Sequence, residues 1–131
     1  MGIVTDVVGS LAGERYISLT TFKRDGSAVS TPVWVVSDDG RRLLVWTGAS
    51  AWKVRRIRRD ARVLVAPASF RGRERGERIE GEAHVVDDVD VGALLRTKYG
   101  WQKRLTDRLN RKAAPDAWVT IEIVDPSQAP N

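Results

Sequence analysis

The spacing of apolar residues shifts between helical and alternating patterns along the chain. Val4, Val7, Val8 and Leu11 recur at i, i+3, i+4 and i+7, which predicts a short amphipathic helix within residues 1–13, ended by Gly13. From Arg15 the period becomes two. Ile17, Leu19 and Thr21 alternate with Tyr16, Ser18, Thr20 and Phe22, the pattern of a half-buried strand. Asp25-Gly26 predicts a two-residue hairpin with positive φ at both central positions. A second strand follows over residues 28–37. Asp39-Gly40 repeats the turn signal and leads into a third strand over 42–47, giving a three-stranded antiparallel meander.

A helix then opens at Ala49 or Ser50 and runs through Arg59, with Val54 and Ile57 facing inward. Residues 62–68 return to strand. Residues 71–78 hold only Arg, Gly and Glu, so they read as an exposed connection. Ile79, Gly81, Ala83 and Val85 alternate with Glu80, Glu82 and His84 as a fifth strand. Asp88 and Asp90 suit the positive end of a following helix. That helix carries Leu94, Leu95, Tyr99, Leu105 and Leu109, and Gly100 breaks or bends it. A last strand spans 117–124, with Val119, Ile121 and Ile123 on one face, and 125–131 form a loose tail. Hairpin-linked strands with short helices fit a mainly β fold, a small six-stranded antiparallel barrel in a single domain over 1–131.

Composition narrows the chemistry. The chain has no cysteine, which removes disulfides, thiolate catalysis and zinc–thiolate or iron–sulfur sites. Asp6 interrupts the apolar run a signal peptide would need, and no stretch has the roughly 20 apolar residues of a membrane helix. The expectation is a cytoplasmic protein without membrane contact. Net charge is +5 with pI near 10.1. Lys53, Arg55, Arg56, Arg58, Arg59 and Arg62 crowd one segment against Asp60 alone. That is either a solvated basic helix or a surface for an anionic partner.

Thr47-Gly48-Ala49-Ser50-Ala51-Trp52-Lys53 carries the chain from strand through a turn into a helix start, whose unpaired N–H groups favour phosphate. With Ser50 as cap, Lys53 stands third in the helix, against its dipole; a bound anion would relieve that conflict. Lys53 and Arg56 lie about 60° apart on the wheel, so both can reach one phosphate. The pattern fits equally a solvent-exposed arginine helix that Ser50 merely caps. Thr31-Pro32-Val33-Trp34 places proline inside a strand, which marks an edge or a place where something else approaches. Trp52 is the tryptophan best placed for an exposed contact, whereas Trp46 and Trp118 read as core or interface. His84 has no neighbouring cysteine or second histidine, so no metal site is expected. Nucleic-acid binding would need several exposed aromatics along a basic track, and Trp52 alone is clearly placed for it.

The order of elements, with Thr47…Ser50-x-x-Lys53-x-x-Arg56, resembles the pyridoxamine-phosphate-oxidase-like, FMN-binding split β-barrels. Tyr16 to Lys23, Ser30-Thr31-Pro32-Val33-Trp34, Val45-Trp46-Thr47-Gly48 and Lys98-Tyr99-Gly100-Trp101 resemble in particular an actinobacterial branch of deazaflavin (coenzyme F420)-dependent oxidoreductases. The likeness runs from about residue 14 to 124. It implies a six-stranded antiparallel split barrel that binds F420 or, alternatively, FMN. Lys53 and Arg56 would hold the cofactor phosphate, assisted by Thr47 and Ser50. Thr31, Pro32, Val33 and Trp34 would lie along the tricyclic ring. The site would form between the protomers of a homodimer, and hydride would pass between the cofactor and a small organic substrate. No catalytic side chain carries over; a proton would come from a residue such as Tyr99 or from solvent.

Overall fold

The computed structural model describes residues 8–87, 89–100 and 118–126. Its strands are β1 (Tyr16–Phe22), β2 (Ala28–Trp34), β3 (Leu43–Gly48), β4 (Arg62–Pro67), β5 (Ile79–Val86) and β6 (Trp118–Val124). Helix α1 (Trp52–Arg59) joins β3 to β4, and α2 (Val91–Tyr99) follows β5. Every pairing is antiparallel, in the order β2-β1-β4-β5-β6-β3. The sheet curls so that its two edge strands, β2 and β3, face each other, and Val36, two residues past β2, bridges to Leu44 of β3. This is the mainly β, six-stranded architecture expected. Among the described residues no helix is long and apolar enough to cross a membrane.

The predicted meander fails at its third strand, because β3 pairs with β6 and leaves β2. The connection explains why. Ser37 Oγ donates to the Arg42 carbonyl at 2.6 Å and accepts from the Gly40 N–H at 2.8 Å. Arg42 reaches Asp38 at 2.6 Å and, from its other terminal nitrogen, Glu122 of β6 at 2.6 Å. This self-bonded loop ends β2 at Trp34, not Ser37, and turns β3 toward β6. There Leu43, Val45 and Thr47 lie opposite Ile123, Ile121 and Val119.

The first hairpin also differs from its predicted geometry. Gly26 has φ +88°, but no non-glycine residue has positive φ among those described. The Gly26 N–H donates to the Lys23 carbonyl and the Lys23 N–H to the Ser27 carbonyl, both at 2.9 Å. This is a three-residue loop with glycine in the left-handed position. Asp25 stabilises it by accepting from the Ser27 N–H at 2.9 Å and its hydroxyl at 2.7 Å.

Alternation along the strands builds the barrel interior from Ile17, Leu19, Leu43, Val45, Val63, Val65, Ala83, Ile121 and Ile123. Val54 and Ile57 of α1 close one part of it, and Val8 and Leu11 join the same cluster. Among the described residues of the predicted first helix there is a 3-10 turn, Gly9–Leu11; Val4 and Val7 lie outside the described residues. A second cluster, Val36, Leu44, Val91, Leu95 and Tyr99, seats α2 outside the sheet, with Trp34 and Trp46 packed against it. Asp90 caps α2 by accepting from the Ala93 N–H at 3.2 Å, and Gly100 ends it at φ +54°. Leu105, Leu109 and Trp101 lie outside the described residues.

β1 is buried on both faces, not half-buried. The arginine–glycine connection folds back across it, so that Ser18 Oγ donates to Glu74 at 2.9 Å. Thr20 and Ser30 hydroxyls pair at 2.7 Å beside them. The connection is therefore exposed along most of its length but anchored at Glu74. Asp125, expected in a loose tail, is buried, and its carboxylate accepts from the Val8 N–H at 3.4 Å. Residues 127–131 lie outside the described part.

Candidate functional site

The curl of the sheet sets two unpaired strand edges against each other. The chain just past β2 bridges to β3 where Val36 meets Leu44, and β2 and β3 themselves form no ladder. Thr31, Pro32, Val33 and Trp34 lie on one edge and Thr47 on the other. The proline is tolerated because β2 is an edge strand, as its sequence suggested. Thr31 and Val33 lie opposite Leu19 and Ile17, on the inner face. Pro32 and Trp34 take the outer face. What approaches Pro32 from outside is the chain itself: a Cβ on Gly72 would sit 3.3 Å from Pro32 Cδ, and Gly72 has φ +88°. Thr47 is buried opposite Val119.

Just past Thr47 the Ala51 N–H donates to the Gly48 carbonyl at 3.0 Å, turning the chain into α1. The cap is Ala51, with no side-chain hydrogen bond, and Ser50 is exposed. The predicted Ser50 cap is thus displaced by one residue. Ala51 packs against the barrel core, a place that serine would fill less well. Lys53 becomes the second helical residue, still in a first turn without any acid. Burial, and next the charge of Arg56, push the Lys53 ammonium below its ordinary pKa. Sequence spacing anticipated this neighbourhood of two cations. Arg56 also reaches the Thr21 hydroxyl, at 3.4 Å.

Outside α1 lies a cavity of about 630 Å³ lined by Lys23, Arg24, Trp52, Arg55, Arg56 and Arg59. Lys23 and Arg24 come from the β1–β2 hairpin. Sequence reasoning missed them because nothing local says that this turn leans over a helix thirty residues on. Arg59 fixes the approach by donating to the Phe22 carbonyl. Trp52 is 66% exposed, as expected for it, and the Arg55 guanidinium lies 4.9 Å from its ring centre.

Tyr99 is not an available proton donor. It is 2% exposed, and its hydroxyl accepts from the Val35 N–H at 2.9 Å and lies 2.7 Å from the Arg15 carbonyl. Burial pushes the phenol up to about 12. Its ring stacks on Trp34 with centroids 4.4 Å apart, so one face of that indole is covered. Lys98, part of the Lys98-Tyr99-Gly100-Trp101 motif but given no role from sequence, donates to the carbonyls of Ala12, Glu14 and Val35. Together Tyr99 and Lys98 tie α2 to both ends of the β1–β2 hairpin. His84, half-buried on β5, stands 3.8 Å from Glu82. Trp46 and Trp118 are half-buried, with ring centroids 5.1 Å apart.

Residues 5–125 match the family model described as pyridoxamine 5'-phosphate oxidase. No curated protein matches the chain. Among solved structures, a conserved hypothetical protein from Mycobacterium tuberculosis superposes with TM-score 0.66 at 20% identity, covering 95% of this chain and 81% of that one. An F420 reductase gives TM-score 0.56 at 21% identity over 88% of this chain and 90% of its own. A pyridoxamine 5'-phosphate oxidase-related, FMN-binding protein from Nostoc punctiforme gives 0.55 at 16% identity, over 89% and 73%.

Proposed function

The chain belongs to the pyridoxamine 5'-phosphate oxidase family, and from that premise we propose that it is an oxidoreductase using the deazaflavin F420. The observation that carries the reading is the start of α1. Lys53 is partly desolvated beside Arg56 in an uncapped first turn without an acid. Such an arrangement raises the energy of the empty site and is relieved by a phosphate, which supplies charge and accepts the free N–H groups. Residues and cofactor class therefore fit.

Lys53 and Arg56 would hold the phosphate, with Thr47 and Ser50 beside the turn. Thr31, Pro32, Val33 and Trp34 would line the ring from the edge of β2. A bound deazaflavin supplies hydride transfer to a small organic substrate. The chain's part is to orient both partners and exclude water between the facing edges. With Tyr99 committed to backbone groups, the proton comes from solvent or substrate.

FMN is the second reading, favoured by the same phosphate features and by the FMN-binding relative in fold. Fluorescence polarisation with F420 and with FMN separates the two. Tighter binding of F420 is expected; binding of neither at micromolar concentration would sink the assignment.

A further inference from the structure

The groove outside α1 is built from residues that the cofactor reading leaves largely unused. With α1 beginning at Trp52, the wheel puts Val54 and Ile57 toward the barrel and Trp52, Arg55, Arg56 and Arg59 on the opposite side. Lys23 and Arg24 complete the wall from the hairpin. Among the described residues, no carboxylate forms an ion pair with any of these five cations. The two acids adjacent in sequence point elsewhere for their hydrogen bonds: Asp25 accepts from the Ser27 N–H and hydroxyl and Asp60 from the Arg62 N–H, and of the five cations Lys23 feels the Asp25 charge. Five cations around one concavity, none of them in an ion pair among the described residues, create a strong local field for an anion.

A simple anion leaves Trp52 unexplained. Its indole is 66% exposed, although its apolar surface would be more stable out of water. Arg55 backs the ring at 4.9 Å, and this cation–π contact holds it as a platform. Aromatic platform and cations together suit a ligand with a flat ring and several phosphates. A cavity of about 630 Å³ has the capacity of a small-molecule site. A nucleic-acid strand would need successive stacking platforms. Among the described residues the other exposed large hydrophobic is Phe70, on the separate β4–β5 connection.

We propose that this groove binds a nucleoside polyphosphate, with the base on Trp52 and the phosphates among Lys23, Arg24, Arg55 and Arg59. Arg56 stands at the border between this groove and the Lys53 site. Occupancy here would sense nucleotide beside the redox site without requiring any chemistry on the nucleotide.

Isothermal titration of the full chain with ATP, AMP, adenosine and inorganic tripolyphosphate tests it. ATP should bind more tightly than AMP, adenosine should not bind measurably, and affinity should fall as salt rises. Trp52→Ala should weaken ATP roughly 5- to 150-fold, the range that stacking one base is worth, and leave tripolyphosphate unchanged. Arg24→Ala should weaken both ligands. Arg58→Ala, on α1 but outside the groove, should change neither. The proposal is overturned if ATP fails to bind at millimolar concentration, or if wild type holds tripolyphosphate as tightly as ATP. Equal losses for Arg58→Ala and Arg24→Ala would also overturn it, since they would mean diffuse attraction to a basic surface.

Discussion

At the scale of single residues, the hydroxyl of Tyr99 and the ammonium of Lys53 carry opposite consequences. Tyr99→Phe leaves the buried Val35 N–H without its acceptor, so unfolding should become easier by about 1–3 kcal/mol. The same hydroxyl makes stability pH-dependent. Its folded pKa, pushed up to about 12 by burial, exceeds that of an exposed tyrosine, about 10. The neutral phenol's contribution is therefore complete below pH about 10 and disappears as pH rises toward about 12. Urea titrations across that window should show Tyr99→Phe losing stability less steeply than wild type; parallel profiles would refute the assignment. Lys53 behaves in the reverse sense, because burial and then Arg56 lower its pKa. Lys53→Met keeps the apolar stem and removes a desolvated charge, so the cofactor-free protein should melt higher. Cofactor affinity should fall roughly 10- to 150-fold, the worth of one charge-assisted hydrogen bond of about 1.5–3 kcal/mol. Arg56→Ala should show a similar loss of binding without that gain in stability. Melting curves with and without F420 measure both effects.

The uncapped start of α1 sets the matching prediction for an element. Ser50→Asp puts an acid beside the positive end of the helix at an exposed position and leaves the packing of Ala51 intact, which should stabilise the cofactor-free protein by about 0.3–1 kcal/mol. The same carboxylate would repel a phosphate, so cofactor binding should weaken as the melting temperature rises. A gain in both would place the phosphate elsewhere. Elements themselves were largely readable in the sequence, because alternation of Ile17 and Leu19, or Ile121 and Ile123, records which face is buried. Neighbours were not. Nothing in Leu43-Leu44-Val45 says that its partner is β6, more than seventy residues away, and the Ser37–Arg42 loop that separates β2 from β3 works through contacts such as Arg42 to Glu122. The Ser50 cap failed for a related reason, since the packing of Ala51 into the core overrides the intrinsic preference for serine. For the candidate site, Lys53 and Arg56 were evident from spacing within one helix. Lys23 and Arg24 were invisible because their place depends on how a hairpin folds over that helix.

On the scale of the whole molecule, an edge-lined opening is a poor place to exclude water. One chain offers β2 on one side and β3 on the other, linked by the Val36–Leu44 bridge just past β2, and the proposed hydride transfer needs a site closed to solvent. A second copy is the economical means of closing it, and a chain of 131 residues has limited surface burial of its own. Apolar groups outside the sheet are available for such a contact. Trp118 is half-buried, and a cavity of about 360 Å³ runs beside it between Val85, Val86, Asp87, Val119 and Thr120. We therefore expect a homodimer, with sedimentation giving twice the 14.6 kDa of one chain. If both protomers border the cofactor, binding and association are linked. Saturating F420 should then shift the monomer–dimer equilibrium toward dimer, and Trp118→Glu should weaken association and cofactor affinity together. A monomer that binds F420 with undiminished affinity would show that one chain closes its own site, and the opening between β2 and β3 would have to be covered from within.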